Sequence, residues 1–147
     1  MREWKYDVRD KLSDYPKQKN AVETLPDEIR RLESEYTSLH STVYDSTPVQ
    51  GGGTPHESRM LHNIILRGDT ERQLQRARLA VEFVEAALNT LTDEERHVVD
   101  VMYISRQRGA TERLRQELGL EDERSVYKRV DKILKKLTIA MYGGTEG

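Results

Sequence analysis

The sequence predicts an all-α protein: an N-terminal helical, coiled-coil-like section followed by a C-terminal helix-turn-helix domain. Three observations carry this. Apolar residues recur at spacings of three and four along most of the chain, and no stretch alternates with the period of two that a half-buried strand needs. Charged residues make up 34% and hydrophobic residues 35% of the 147, a balance that suits amphipathic helices around a narrow core. Near the C-terminus a short helix, RLRQELGL, meets an acidic turn at Gly119 and a second helix that interleaves aliphatic and basic residues. The expected layout is a helical section over 1–44, a flexible linker or loop over 45–56, a long connecting helix or helices over 57–90, and the helix-turn-helix domain over 91–143.

Residues 2–14 place Trp4, Val8 and Leu12 four apart, with Tyr15 one turn on. Pro16 disfavours helix at the residue before it and suits the first position of a new one, so a break is expected there. The next helix carries Ala21, Val22 and Leu25 and should stop before Pro26. A third then buries Ile29, Leu32, Tyr36, Leu39 and Val43, a heptad-like seam that fits another helix of the same chain or a second chain. Residues 45–56, DSTPVQGGGTPH, combine three consecutive glycines with two prolines and cannot hold a regular element. The triple glycine is no phosphate loop, because it lacks the GK[ST] ending and no strand precedes it. From Glu57 the helical pattern returns, with Met60, Leu61, Ile64 and Ile65 forming an apolar patch. A break or kink is expected at Gly68-Asp69, followed by Leu74, Ala77, Val81, Val84 and Leu88.

Thr92 and Glu95 form the T-x-x-E capping box of the next helix, whose Val98, Val99, Val101, Met102 and Tyr103 supply core. Gly119 provides the left-handed backbone that a tight turn between helices needs. Asp122 can cap the last helix, and Val126, Val130, Ile133, Leu134, Leu137 and Met141 share one of its faces. Arg124, Ser125, Tyr127, Lys128, Arg129, Asp131, Lys132, Lys135 and Lys136 lie around the rest. Such a bracket lets one helix brace a second that can enter a DNA major groove; the same charges also suit an ordinary solvated face.

Net charge is −2, but the average hides a split. Residues 106–141 hold ten Lys and Arg against six Asp and Glu, an excess of four, which leaves −6 for the remainder. A locally basic segment is what phosphate contacts need. The absence of cysteine rules out disulfides, thiol catalysis and thiolate metal sites. None of His40, His56, His62 and His97 has the spacing of an HExxH zinc site, and neither a GxSxG elbow nor a Walker lysine is present. We therefore expect no enzyme and no cofactor. No apolar run approaches the roughly 20 residues that span a bilayer, and the first residues, MREWKYDVRDK, lack the apolar core of a signal peptide. A cytoplasmic protein without membrane contact is the expectation.

LTDEERHVVDVMY, ERLRQELGL and SVYKRVDKILKKLTIAMYG together resemble region 4 of bacterial sigma factors. They resemble still more the phage late-gene transcription regulators of the ArpU/RinA type, whose valine–tyrosine–basic start and terminal Tyr-Gly are matched by Val126–Lys128 and Tyr142-Gly143. The resemblance covers residues 91–143; the rest is alike only in layout. It implies a sequence-specific DNA-binding transcription regulator, a phage or prophage late-gene activator. Arg124, Ser125, Tyr127, Lys128 and Lys132 would then read DNA, and Arg113 and Arg115 would meet its backbone. The implied partner is double-stranded DNA; RNA polymerase is the partner of the alternative reading below, and the heptad-like seam leaves room for a second copy through the helical N-terminal section. Two features set this chain apart from the common motif. Arg115 stands where a small residue is usual and should either force the two helices apart or snorkel outward, and the turn is one residue longer. Two alternatives stay open: a protein-interaction module that binds RNA polymerase, and a small terminase-like DNA-packaging subunit.

Overall fold

A computed structural model describes residues 3–45 and 54–144, with side chains from 4–41 and 54–144. The described residues are all helical apart from turns: α1 (Glu3–Asp45), α2 (Pro55–Leu88), α3 (Asp93–Val99), α4 (Ala110–Glu117) and α5 (Glu123–Tyr142). Of the expected glycine-rich loop, residues 46–53 lie outside the described residues, as does the side chain of Val43. Packing divides the chain into two compact units, Met1–Gln18 with Ala80–Gly147, and Lys19–Leu79.

The first unit is a head built on α3, α4 and α5. Thr92 accepts from the backbone N–H of Glu95 while the Glu95 carboxylate accepts from the N–H of Thr92, which completes the expected capping box. Past Val99 the helix widens into a π-helical turn over Asp100–Ile104, closed by the Ser105 N–H on the carbonyl of Asp100 at 2.8 Å. Arg106 then takes φ 51° and Gly109 φ 70°, two left-handed residues that turn the chain into α4. At the far end of α4, Gly119 has φ 65°. The N–H groups of Gly119 and Leu120 return to the carbonyls of Gln116 and Arg115 at 3.2 and 2.9 Å. This is a complete Schellman ending, and Leu118 and Leu120 pack down onto the core behind it. Asp122 then starts α5 by accepting from the N–H of Ser125 at 2.8 Å.

The apolar face read from α5 is its buried face: Val126, Val130, Ile133, Leu134 and Leu137 are all buried, against Val98, Val99 and Val101 of the α3 segment and Leu114 of α4. Val8 and Leu12 of α1, with Val84, Ala87 and Leu88 of α2, belong to the same core. Sequence had grouped Val8 and Leu12 with the N-terminal section. Tyr15 ties this end of α1 to α2 by donating to Glu85 at 2.8 Å.

The second unit is a hairpin of the remaining parts of α1 and α2. The Asn63 amide donates to the carbonyl of Leu32 at 2.9 Å, and the His56 ring meets the carbonyl of Leu39 at 2.6 Å, so the two helices run antiparallel. The seam expected to fit a helix or a second chain therefore packs within the chain, with Leu32 buried and Arg67 lying over Tyr36 at 5.2 Å. Thr54 caps α2 by accepting from the N–H of Glu57 at 3.1 Å, with Pro55 as the first helical residue.

The expected breaks at Pro16, Pro26 and Gly68 do not occur. Each proline removes one backbone bond and strains the preceding residue, at a cost of about 3 kcal/mol. Packing on both sides offsets that: Leu12 and Tyr15 are anchored ahead of Pro16, and the seam from Ala21 to Leu39 runs unbroken across Pro26. Gly68 remains helical. A Cβ there would come no nearer than 3.6 Å, to the mobile end of Arg72, so the fold does not require glycine at this position. In a helix interior glycine costs about 0.5–1 kcal/mol relative to alanine.

Candidate nucleic-acid interface

An α-helix turns by about 100° per residue, so Arg124, Lys128, Lys132 and Lys135 fall within about 80° of one another, opposite the apolar face of α5. All four are exposed and none forms a salt bridge among the described residues, although the charges of Arg124 and Lys128 lie close enough to Asp122 to help hold its carboxyl low. The other two cations of the helix are held. Arg129 reaches Glu94 at 2.9 Å and Lys136 reaches Glu95 at 2.8 Å, both in the first turn of α3. Lys136 and the N–H of Thr92 together hold the Glu95 carboxyl below the usual carboxylate range. The six basic residues of α5 thus divide into two that strap the head together and four that face solvent.

One flank of that stripe is lined by α1. Lys5 pairs with Asp131 at 3.1 Å, and the hydroxyl of Tyr142 donates to Asp7. The N-terminal helix covers the side of α5 and leaves the stripe open.

The sequence-predicted residues separate on inspection. Arg124, Lys128 and Lys132 come together on the stripe. Tyr127, half exposed, lies at its edge with its hydroxyl 3.5 Å from that of Thr111 at the start of α4. Ser125 is engaged in capping: its hydroxyl and its N–H both meet Asp122 Oδ1 at 2.8 Å, and these bonds hold the Asp122 carboxyl low. Arg113 and Arg115 are two residues apart on α4 and so point to opposite sides of it. Arg113 donates to Glu117 at 2.8 Å and to Gln107, beside His97, whose ring meets Glu117 at 2.7 Å. Arg115 leans outward over the turn, donating to Glu112 at 2.6 Å and to the carbonyl of Leu120 at 3.2 Å. The bulky side chain therefore braces the Schellman ending without separating α4 from α5.

Three basic residues were not singled out from sequence. Lys135 continues the stripe, and its spacing of seven from Lys128 was the available signal. Arg106 and Arg108 are exposed in the connection to α4, where only the left-handed turn distinguishes them from ordinary loop charges.

Among the described residues no group of three or more His, Asp and Glu side chains could hold a metal ion. Nor is any helix among them long and apolar enough to cross a membrane. No protein-family model matches the chain, and no curated protein or solved structure is significantly similar to it.

Proposed function

We propose that this chain is a sequence-specific DNA-binding regulator of transcription, of the phage late-gene kind that its C-terminal part resembles, and that the exposed face of α5 meets the duplex. The observation that carries this reading is the exposed stripe of Arg124, Lys128, Lys132 and Lys135, outside every salt bridge of the described residues and borne on α5, the second helix of the bracket, which Asp122 caps. Fixed cations along one helix face suit phosphate oxygens and the guanine edge, and every phosphate neutralised releases a counterion. Asp122 lies within electrostatic reach of Arg124 and Lys128, and its engagement at the helix N-terminus blunts its repulsion toward DNA.

Selection of bound DNA from a random pool at physiological salt tests the reading, followed by mobility shifts with the selected site. Arg124→Ala and Lys128→Ala should each weaken binding by about 1–3 kcal/mol, the range for a specific base contact, and leave the melting temperature unchanged. Four phosphate contacts per chain would give a log–log salt slope of about −3 to −4. Unchanged affinity in both variants would overturn the proposal.

A second reading, a contact with RNA polymerase, draws on the C-terminal end of the same face. Ile139 and Tyr142 are 57% and 48% exposed there, and Phe83 of α2 lies 5.8 Å from the Tyr142 ring. An apolar contact of that kind keeps its strength as salt rises, whereas DNA binding falls steeply.

A further inference from the structure

Of the two acidic residues in α5, Glu123 and Asp131, the second is set into the basic stripe. By helical geometry Asp131 falls within about 60° of Arg124, Lys128 and Lys135. Lys128 and Lys135 are its neighbours at three and four positions, the spacing of helical ion pairs. It pairs with neither. Among the described residues its salt bridge is to Lys5 in the first turns of α1, at 3.1 Å and 126 residues away in sequence. Lys5 is anchored there: its ammonium lies 5.6 Å from the Trp4 ring, and Trp4 and Val8 pack on the core of the head. The lysine side chain nonetheless stays 33% exposed. One turn on, Arg9 lies over the rings of Tyr6 and Tyr103 at 6.0 and 5.4 Å and forms no salt bridge among the described residues.

We propose that Lys5 belongs to the duplex-binding face: it cancels the charge of Asp131 within the stripe and offers a DNA phosphate a further cation, borne on α1. This inference rests on the DNA-binding reading of α5 and extends the interface to a second, distant segment of the chain. An ammonium has three donor hydrogens, and Asp131 takes one, which leaves two for a phosphate oxygen. Without Lys5 a bare carboxylate would stand among Arg124, Lys128 and Lys135 and repel the backbone that they attract. A helix in the major groove has a phosphate backbone on each side of it, and α1 lines one side of α5. Lys5 is therefore placed to meet phosphate and not base edges, and its contribution should be the same on any sequence. Asp7 of α1 accepts from the Tyr142 hydroxyl at the C-terminal end of α5, so the positive flank stops short of that end.

Fluorescence anisotropy of the full chain across a range of salt tests this on two duplexes, the site selected from the random pool and a scrambled sequence. Lys5→Gln should weaken binding about fivefold at physiological salt on both duplexes, which is what releasing the counterion of one phosphate is worth. It should also make the log–log salt slope shallower by about one. Lys5→Arg should keep both affinity and slope. Asp131→Asn should act in the opposite sense and tighten binding, whereas a pair that only holds α1 in place would lose affinity when either partner is changed. Circular dichroism and the melting temperature confirm that each variant keeps the wild-type fold. Unchanged affinity in Lys5→Gln, a loss confined to the selected site, or weaker binding by Asp131→Asn would each overturn the inference and leave the reading of α5 standing. A wild type that binds no duplex at all would overturn both.

Discussion

The head and the hairpin are made from the same two long helices plus three short ones, yet they bury their residues differently. In the head, Leu12, Leu114, Leu134 and Leu137 are enclosed on every side, because five helical segments converge on one core. In the hairpin two helices share one seam. Leu32 and Ala77 are enclosed, Leu74 nearly so, and polar Asn63 and Thr70 are buried beside them, while Leu61, Ile65 and Leu79 remain open to solvent. Two helices can cover one face of each other and no more. Asn63 marks the difference most clearly, since its carbonyl oxygen is buried without a hydrogen-bond partner among the described residues. A buried orphan of this kind is costly, and its compensation is a donor bond to the Leu32 carbonyl that fixes how the two helices register.

The contrast can be broken first by truncation. Leu134→Ala should cost about 2–5 kcal/mol by urea denaturation, toward the upper part of the range for enclosed leucines. The same change at Leu74 should cost less, because the hairpin can close over the gap. Equal costs would show that the hairpin is as tightly packed as the head. Capping gives a smaller effect. Thr92→Ala removes one half of a reciprocal box and should cost about 1 kcal/mol, whereas Thr54→Ala removes a single bond and should cost less; hydrogen exchange in the first turns of α3 and α2 reads both. The smallest effect is alkaline. Burial, reinforced by the bond to Glu85, pushes the Tyr15 hydroxyl up from 10.0 to about 12. A raised value in the folded state means that this bond contributes fully below pH 10 and is lost as pH rises toward 12. The head should therefore soften across that window, and Tyr15→Phe should flatten the dependence when melting is followed against pH.

What could be read from the sequence was local. The Thr92–Glu95 box, the Asp122 cap, Gly119 and the apolar face of α5 all depend on residues within one or two turns of each other, and each takes the form its spacing dictates. What could not be read was decided at a distance. Pro16 and Pro26 are strong local signals for a break, and packing at both ends of α1 overrules them. Val8 and Leu12 carry the periodicity of any amphipathic helix, and nothing in it says that they enter a core more than 70 residues away in sequence. The candidate interface divides in the same way. Helical spacing assembles Arg124, Lys128 and Lys132, but the ion pairs that remove Arg129 and Lys136 from the stripe reach back to Glu94 and Glu95, 35 and 41 residues earlier. Charge was visible; its engagement was not.

The wide turn at Asp100–Ile104 sets the phase of everything that follows. Each residue there advances the chain through a smaller angle than the roughly 100° of an ordinary helix. Deleting one residue within it would restore regular winding, but would also swing the departure point of the chain around the axis of α3. The bracket of α4 and α5 would then leave in a different direction, with every residue of the basic stripe intact and its aim changed.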